Sequence, residues 1–119
     1  MWLYSQTTGR LTQNGALIGV GYAGHPPYVN DPTAQSQHNI GPLPEGLYII
    51  GEAVTNDLGP LAMPLEPDLA NEMYGRSGFF IHGDNPEHPG WSSNGCIVIS
   101  HDVRQQISVS PDRALTVTW

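Results

Sequence analysis

The sequence of 119 residues predicts a mainly β domain, a barrel or sandwich with one short helix. Three observations predict it. Fourteen glycines and eleven prolines punctuate the chain, a density that suits tight turns and breaks long helices. Between them stand short apolar runs that alternate with polar residues, the period of a half-buried strand. Only one segment, 100–108, carries apolar residues at helical spacing. The length suits one domain with a modest core, and no linker, repeat or low-complexity block interrupts it, so residues 1–119 are read as a single domain.

The elements follow in order. "MWLYSQTTGRLTQNGALIGVGYAG" reads as consecutive strands separated by "TTGR" and "QNG", and Asn14-Gly15 suits a turn that needs positive φ. Residues 25–40, polar and rich in proline, read as a loop. "GPLPEGLYIIGEAVT" sets a proline turn and Gly46 before an alternating strand from Leu47 to Ile50. The stretch from Asn56 to Gly78 is mixed, with a short strand expected at 61–65 and irregular chain around it. "GFFIHG" and "GCIVIS" are strands of bulky residues. "SHDVRQQIS" is the helix, with Ser100 as N-cap and Val103 and Ile107 on one face. "ALTVTW" alternates strictly and closes the chain as a strand.

The formal net charge is −7, with only four arginines and no lysine. Nucleic acid and anionic membrane surfaces are poor partners for such a chain, because both need a basic surface. No apolar run approaches a membrane-spanning length, and the N-terminus lacks a charged segment leading into an apolar one, so no signal peptide is expected. The single cysteine cannot form an internal disulfide.

That cysteine, Cys96, lies in "IHGDNPEHPGWSSNGCIVIS", fourteen positions after His82. Taken alone, each residue reads as structural: free cysteine is among the most buried residue types, and a lone histidine is usually a satisfied one. Together they suit nucleophilic catalysis. A thiol with pKa of about 8.5 is only a few per cent ionised at neutral pH, and a neighbouring imidazole removes that handicap. Backbone N–H groups turned inward at Asn94 to Cys96 could hold a developing oxyanion, and Gly95 lets substrate approach closely.

The pattern around the pair resembles the L,D-transpeptidase signature of the YkuD-type fold: a His followed by Gly, a spacer, then Ser or Thr, a polar residue and Gly-Cys. Here it is His82-Gly83 and Ser93-Asn94-Gly95-Cys96. The remaining elements are similar to a small branch of that superfamily, the L,D-transpeptidase effectors delivered by type VI secretion. They are Trp2 in an opening aromatic strand, then "TGRLTQNG", "GYAG", "GPLPEGLYIIG" and "RSGFFIHG". The resemblance implies a small β-barrel or sandwich with one short helix after the catalytic cysteine. It also implies roles. Cys96 would be the nucleophile and His82 its base, oriented by the Gly83 carbonyl. The Gly95 and Cys96 amides would form much of the oxyanion hole. Ser93, Asn94 and Arg76 would meet substrate, with Arg76 gripping a carboxylate. Two departures stand out. Asn94 replaces the more usual histidine before Gly-Cys. Val98 stands where the larger family commonly carries an arginine, which shifts the carboxylate grip onto Arg76.

The substrate implied by the resemblance is the tetrapeptide stem of bacterial peptidoglycan, cut between diaminopimelate and D-alanine through a thioester on Cys96, with no cofactor and no metal. Water would then give carboxypeptidase action, and an amine would give exchange or cross-linking. The partners implied are an immunity protein or a secretion-system component. The expected setting is synthesis in the bacterial cytoplasm and action, as a monomer and antibacterial toxin, in the periplasm or cell wall. Two other readings compete. His82, Asp84, Glu87, His88 and His101 are metal donors close in sequence, which would suit a metal-dependent hydrolase, although no zinc spacing appears. A non-catalytic cell-wall-binding or phage structural module could also share the fold.

Overall fold

The alternating runs become ten strands, joined by one α-helix and one 3-10 turn, in the computed structural model, which describes residues 1–119. The strands are β1 (Trp2–Ser5), β2 (Arg10–Gln13), β3 (Ala16–Val20), β4 (Tyr22–Ala23), β5 (Gly46–Ile50), β6 (Val54–Asn56), β7 (Gly59–Pro67), β8 (Phe80–His82), β9 (Ile97–Val98) and β10 (Ala114–Thr118). The helix α1 spans His101–Val109, between β9 and β10. The mainly β class with a helix after the cysteine is the class expected from the sequence.

The strands hydrogen-bond in the order β3-β2-β1-β10-β5-β7-β8-β9-β4, with β6 paired on β7. The two ends of that path, β3 and β4, are consecutive in the chain and joined through Gly21, so the sheet curls back towards itself like a nearly closed barrel. Glycine is needed at this seam. A Cβ on Gly21 would stand 2.1 Å from the Val98 carbonyl oxygen, and one on Gly9 would stand 1.9 Å from the Gly21 carbonyl oxygen. The β2–β3 hairpin turns through Asn14 and Gly15 at φ of 49° and 87°, the geometry that this dipeptide favours.

Alternation aims Trp2 and Tyr4, Tyr48 and Ile50, Met63 and Leu65, and Leu115 and Val117 into one core, while Leu3, Leu47 and Ile49 face outward. Burying each such aliphatic side chain stabilises the fold by about 2 kcal/mol. Val103 and Ile107 bring α1 onto this core, and Ser100 caps it by accepting from the Val103 amide at 3.4 Å.

Two expectations change. The strand expected at 61–65 runs from Gly59 to Pro67 and forms a hairpin with β6, which the sequence did not reveal. Pro60, Pro64 and Pro67 lack the N–H that a central strand uses, so they hide the strand's true length. The loop at 25–40 holds the 3-10 turn Pro32–Ala34, capped by Asp31, whose carboxylate accepts from the Thr33 amide at 3.0 Å. No helix is long and apolar enough to cross a membrane.

Candidate active site

β8 and β9 run side by side and parallel, with Ile81 opposite Ile97 and His82 opposite Val98. Continued back by one residue, this register sets Phe80 opposite Cys96. Strand alternation then places the Cys96 position and His82 on the same side of the ladder. The Phe80 amide donates to the Cys96 sulfur at 3.3 Å, two residues before His82. The sulfur has no direct hydrogen bond to the imidazole. His82 donates its Nδ1–H to the Gly83 carbonyl at 2.7 Å, which leaves the Nε2 lone pair free. A base for a thiol proton needs that tautomer.

The turn before Cys96 is organised by Ser93. This serine is fully buried, and its hydroxyl donates to the Cys96 carbonyl at 2.6 Å. The same oxygen accepts from the Gly24 amide at 2.9 Å and the Gly95 amide at 3.0 Å. With its bonds made inside the fold, Ser93 shapes the turn. Gly95 departs from expectation. Its amide is held by Ser93, which leaves the Cys96 amide, bonded to no other residue and directed at its own sulfur, as the donor of the turn. Gly95 is nonetheless required there: its φ is +137°, and a Cβ would come within 2.6 Å of Arg76 Nη2 and 2.7 Å of the Phe79 ring. Asn94 is exposed.

Arg76 lines a groove at this turn but is held by the backbone. Only 6% of it is exposed, and both terminal nitrogens are occupied by backbone carbonyls. Nη1 donates to Gln35 at 2.6 Å and Pro42 at 2.8 Å; Nη2 donates to Gly41 at 2.8 Å and Asn94 at 3.2 Å. A bidentate carboxylate grip needs those same N–H groups, so the geometry makes Arg76 a clamp between the 35–42 segment and the cysteine turn. Its charge also faces the Cys96 sulfur.

A groove lies on each side of that turn. One, of about 370 Å³, is lined by His82, Gly83, Asp84, Asn85, Ser92 and the Asp57–Gly59 hairpin tip. The other, of about 240 Å³, is lined by Arg76, Phe79, Asn94, His38, Asn39 and Ser77. No three His, Cys, Asp or Glu side chains converge closely enough to hold a metal ion. Asp84, a donor in the metal reading, instead accepts from the Tyr22 hydroxyl at 2.8 Å and from the Asn85 and Gly90 amides, bracing its own loop.

The model of the Tlde1 domain family matches residues 19–113, which include every residue of this site. The chain is a Tlde1 domain. This family is that of type VI secretion L,D-transpeptidase effectors, whose theme is peptidoglycan modification. Fourteen chains of solved structures match as well. One is the catalytic domain of an E. faecium L,D-transpeptidase acylated by ertapenem, solved by NMR, at 19% identity and a TM-score of 0.47, covering 98% of this chain and 94% of that one. No curated protein matches the sequence.

One residue of this Tlde1 domain's site escaped the sequence reading. Arg104 on α1 is buried and donates from Nε to the Ile99 carbonyl at 3.1 Å and from Nη1 to the Pro60 carbonyl at 2.6 Å. Its Nη2 lies against Gly83, where any Cβ would approach to 2.6 Å. The available signal was a charge beside Val103 on the apolar face of the helix.

Burial pushes the His82 imidazole below its ordinary range, and the Arg104 charge adds to this, against the Gly83 hydrogen bond and Asp84. Burial pushes the Cys96 thiol upward, against the Phe80 amide and Arg76. At neutral pH Cys96 in this Tlde1 domain is therefore a thiol and His82 a neutral imidazole. The unfolded chain protonates His82 more readily than the folded one, so the stability that comes from keeping it neutral is present above the ordinary pKa near 6.5 and is lost as pH falls below it. Denaturant melts at pH 7 and pH 5 are expected to show a smaller acid loss in His82→Asn than in wild type. Equal losses would place the acid sensitivity elsewhere.

Proposed function

We propose that this Tlde1 domain is a cysteine-dependent L,D-transpeptidase and L,D-carboxypeptidase of peptidoglycan tetrapeptide stems, acting in the periplasm or cell wall as an antibacterial effector. The observation that carries this reading is the pairing of β8 with β9. It brings Cys96, the residue before β9, alongside the strand that ends at His82, with the basic nitrogen of a tautomer-fixed imidazole left free beside a groove.

The chemistry follows from that geometry. The sulfur leaves the Phe80 amide and turns towards the substrate carbonyl while His82 Nε2 takes the thiol proton. Proton transfer and attack go together, because burial disfavours a resting thiolate. The carbonyl oxygen gains the electron pair and faces the Cys96 amide. Such a donor is worth about 3 kcal/mol to a transition state. Collapse breaks the bond from diaminopimelate to D-alanine, and His82 returns the proton to the leaving amine. The thioester is then released to water, giving a shortened stem, or to an amine, giving exchange or a cross-link. Arg76 and Ser93 keep the turn in shape throughout, and in this reading exposed Asn94 meets the stem. An immunity protein that covered the groove beside His82 would block this chemistry.

Intact-mass spectrometry with tetrapeptide stems tests it. An adduct of the stem less D-alanine is expected on the wild type and absent from Cys96→Ala. Stem cleavage by the Ala variant, or wild-type cleavage that survives thiol alkylation, would overturn the reading.

A further inference from the structure

We infer that Trp91 is a saccharide platform, which takes the apolar face of a sugar ring of the glycan strand while the attached stem enters the site. The inference rests on the reading of the substrate as peptidoglycan. Trp91 is 58% exposed, and it immediately precedes Ser92 in the lining of the groove beside His82. A large indole left in water is ordinarily a cost, yet this one is held in place. The His25 ring meets it at 5.2 Å between centroids and 84° between planes. His25 is in turn fixed by its amide, which donates to the Ile40 carbonyl at 2.7 Å.

The loop that carries Trp91 is braced at both ends. The Gly90 amide donates to Asp84 at 3.0 Å, the Ser92 amide to the Tyr22 hydroxyl at 3.1 Å, and the Asn85 amide to the Ser92 hydroxyl at 3.0 Å. A rigid aromatic with few rotatable bonds loses little entropy when a ligand stacks on it. The ligand class follows from charge. Asp84 stands on this loop, so the part of the ligand that meets Trp91 is best uncharged. A neutral N-acetylated sugar, with C–H groups on one face and polar groups at its rim, matches an indole in such surroundings. In peptidoglycan the stem is attached to such a sugar, so the two subsites would be filled by one substrate.

Two measurements decide it. Wild-type protein is titrated with a stem-free β-1,4-linked N-acetylglucosamine tetrasaccharide and followed by isothermal titration calorimetry. Saturable change in heat is expected, kept in part by Trp91→Phe and lost in Trp91→Ala. No saturable change in the wild type, or the same change in Trp91→Ala, would overturn the platform whatever the enzyme does to stems. Steady-state kinetics then compares free tetrapeptide with disaccharide-linked tetrapeptide. Trp91→Ala is expected to raise KM for the disaccharide-linked form about tenfold with kcat unchanged, the size of one aromatic stacking contact, and to leave the free tetrapeptide alone. Equal KM effects on both substrates would sink the saccharide assignment but leave the peptidase reading standing. Absent turnover beside normal sugar binding would do the reverse.

Discussion

Cys96→Ala is expected to abolish turnover of stem peptides, by a factor on the order of 10⁴ or more, while the domain folds and melts almost as wild type. The two halves of this expectation have separate origins. In the proposed chemistry the sulfur makes and breaks the only covalent bond between enzyme and substrate, and alanine offers no replacement. In the fold, Cys96 is only partly buried, packs at the margin of the core, and has one recorded partner for its sulfur, the Phe80 amide. Trimming it should cost on the order of 1 kcal/mol. Peptidase assays beside a thermal melt check both halves. Retained activity would make Cys96 a core residue, and so would a variant that no longer folds.

Arg76→Ala carries the second large effect, and its direction is loss of the fold before loss of affinity. Removing the guanidinium leaves the carbonyls of Gln35, Gly41, Pro42 and Asn94 without their donors. A buried polar group left unpaired costs about 1–3 kcal/mol. Water from the adjoining groove can satisfy some of these carbonyls, so the expected loss is about 3 kcal/mol in total, which for a domain of this size lowers Tm by roughly 10 °C or more. Arg76→Lys should recover only part of it, because one ammonium cannot fork between four carbonyls on two segments. Melting curves with kinetics on the folded fraction make the measurement. An unchanged Tm with a raised KM would return Arg76 to carboxylate recognition.

The strands and the helix were legible because their signals are local. Asn14-Gly15 demands its turn, Ser100 caps its helix, and the alternation in "GLYII" and "ALTVT" names the inward residues without knowledge of their partners. The β6–β7 hairpin was not legible, since Pro60, Pro64 and Pro67 suppress the hydrogen-bonding pattern that marks a strand while the residues between them still pair with β5 and β8. Within the site, His82 and Cys96 were singled out by the resemblance of "IHG" and "SNGC" to the L,D-transpeptidase signature, and His82 donates to the Gly83 carbonyl.

Residue chemistry and spacing alone therefore selected the class of fold, and the resemblance to the L,D-transpeptidases singled out Cys96 and His82 as the candidate pair. The tertiary structure alone decided what the polar residues around them do. Ser93 and Arg76 read as substrate contacts from the resemblance, with Arg76 favoured because it precedes the His82 strand and Val98 stands where an arginine is usual. Their roles changed once non-local segments, 24 and 35–42, brought backbone amides and carbonyls against them. Arg104 drew no notice because its partners, Ile99 and Pro60, meet only when α1 folds onto β7. A buried polar group takes its function from whichever unpaired backbone atoms the fold brings to it, and those atoms come from positions that no local pattern marks.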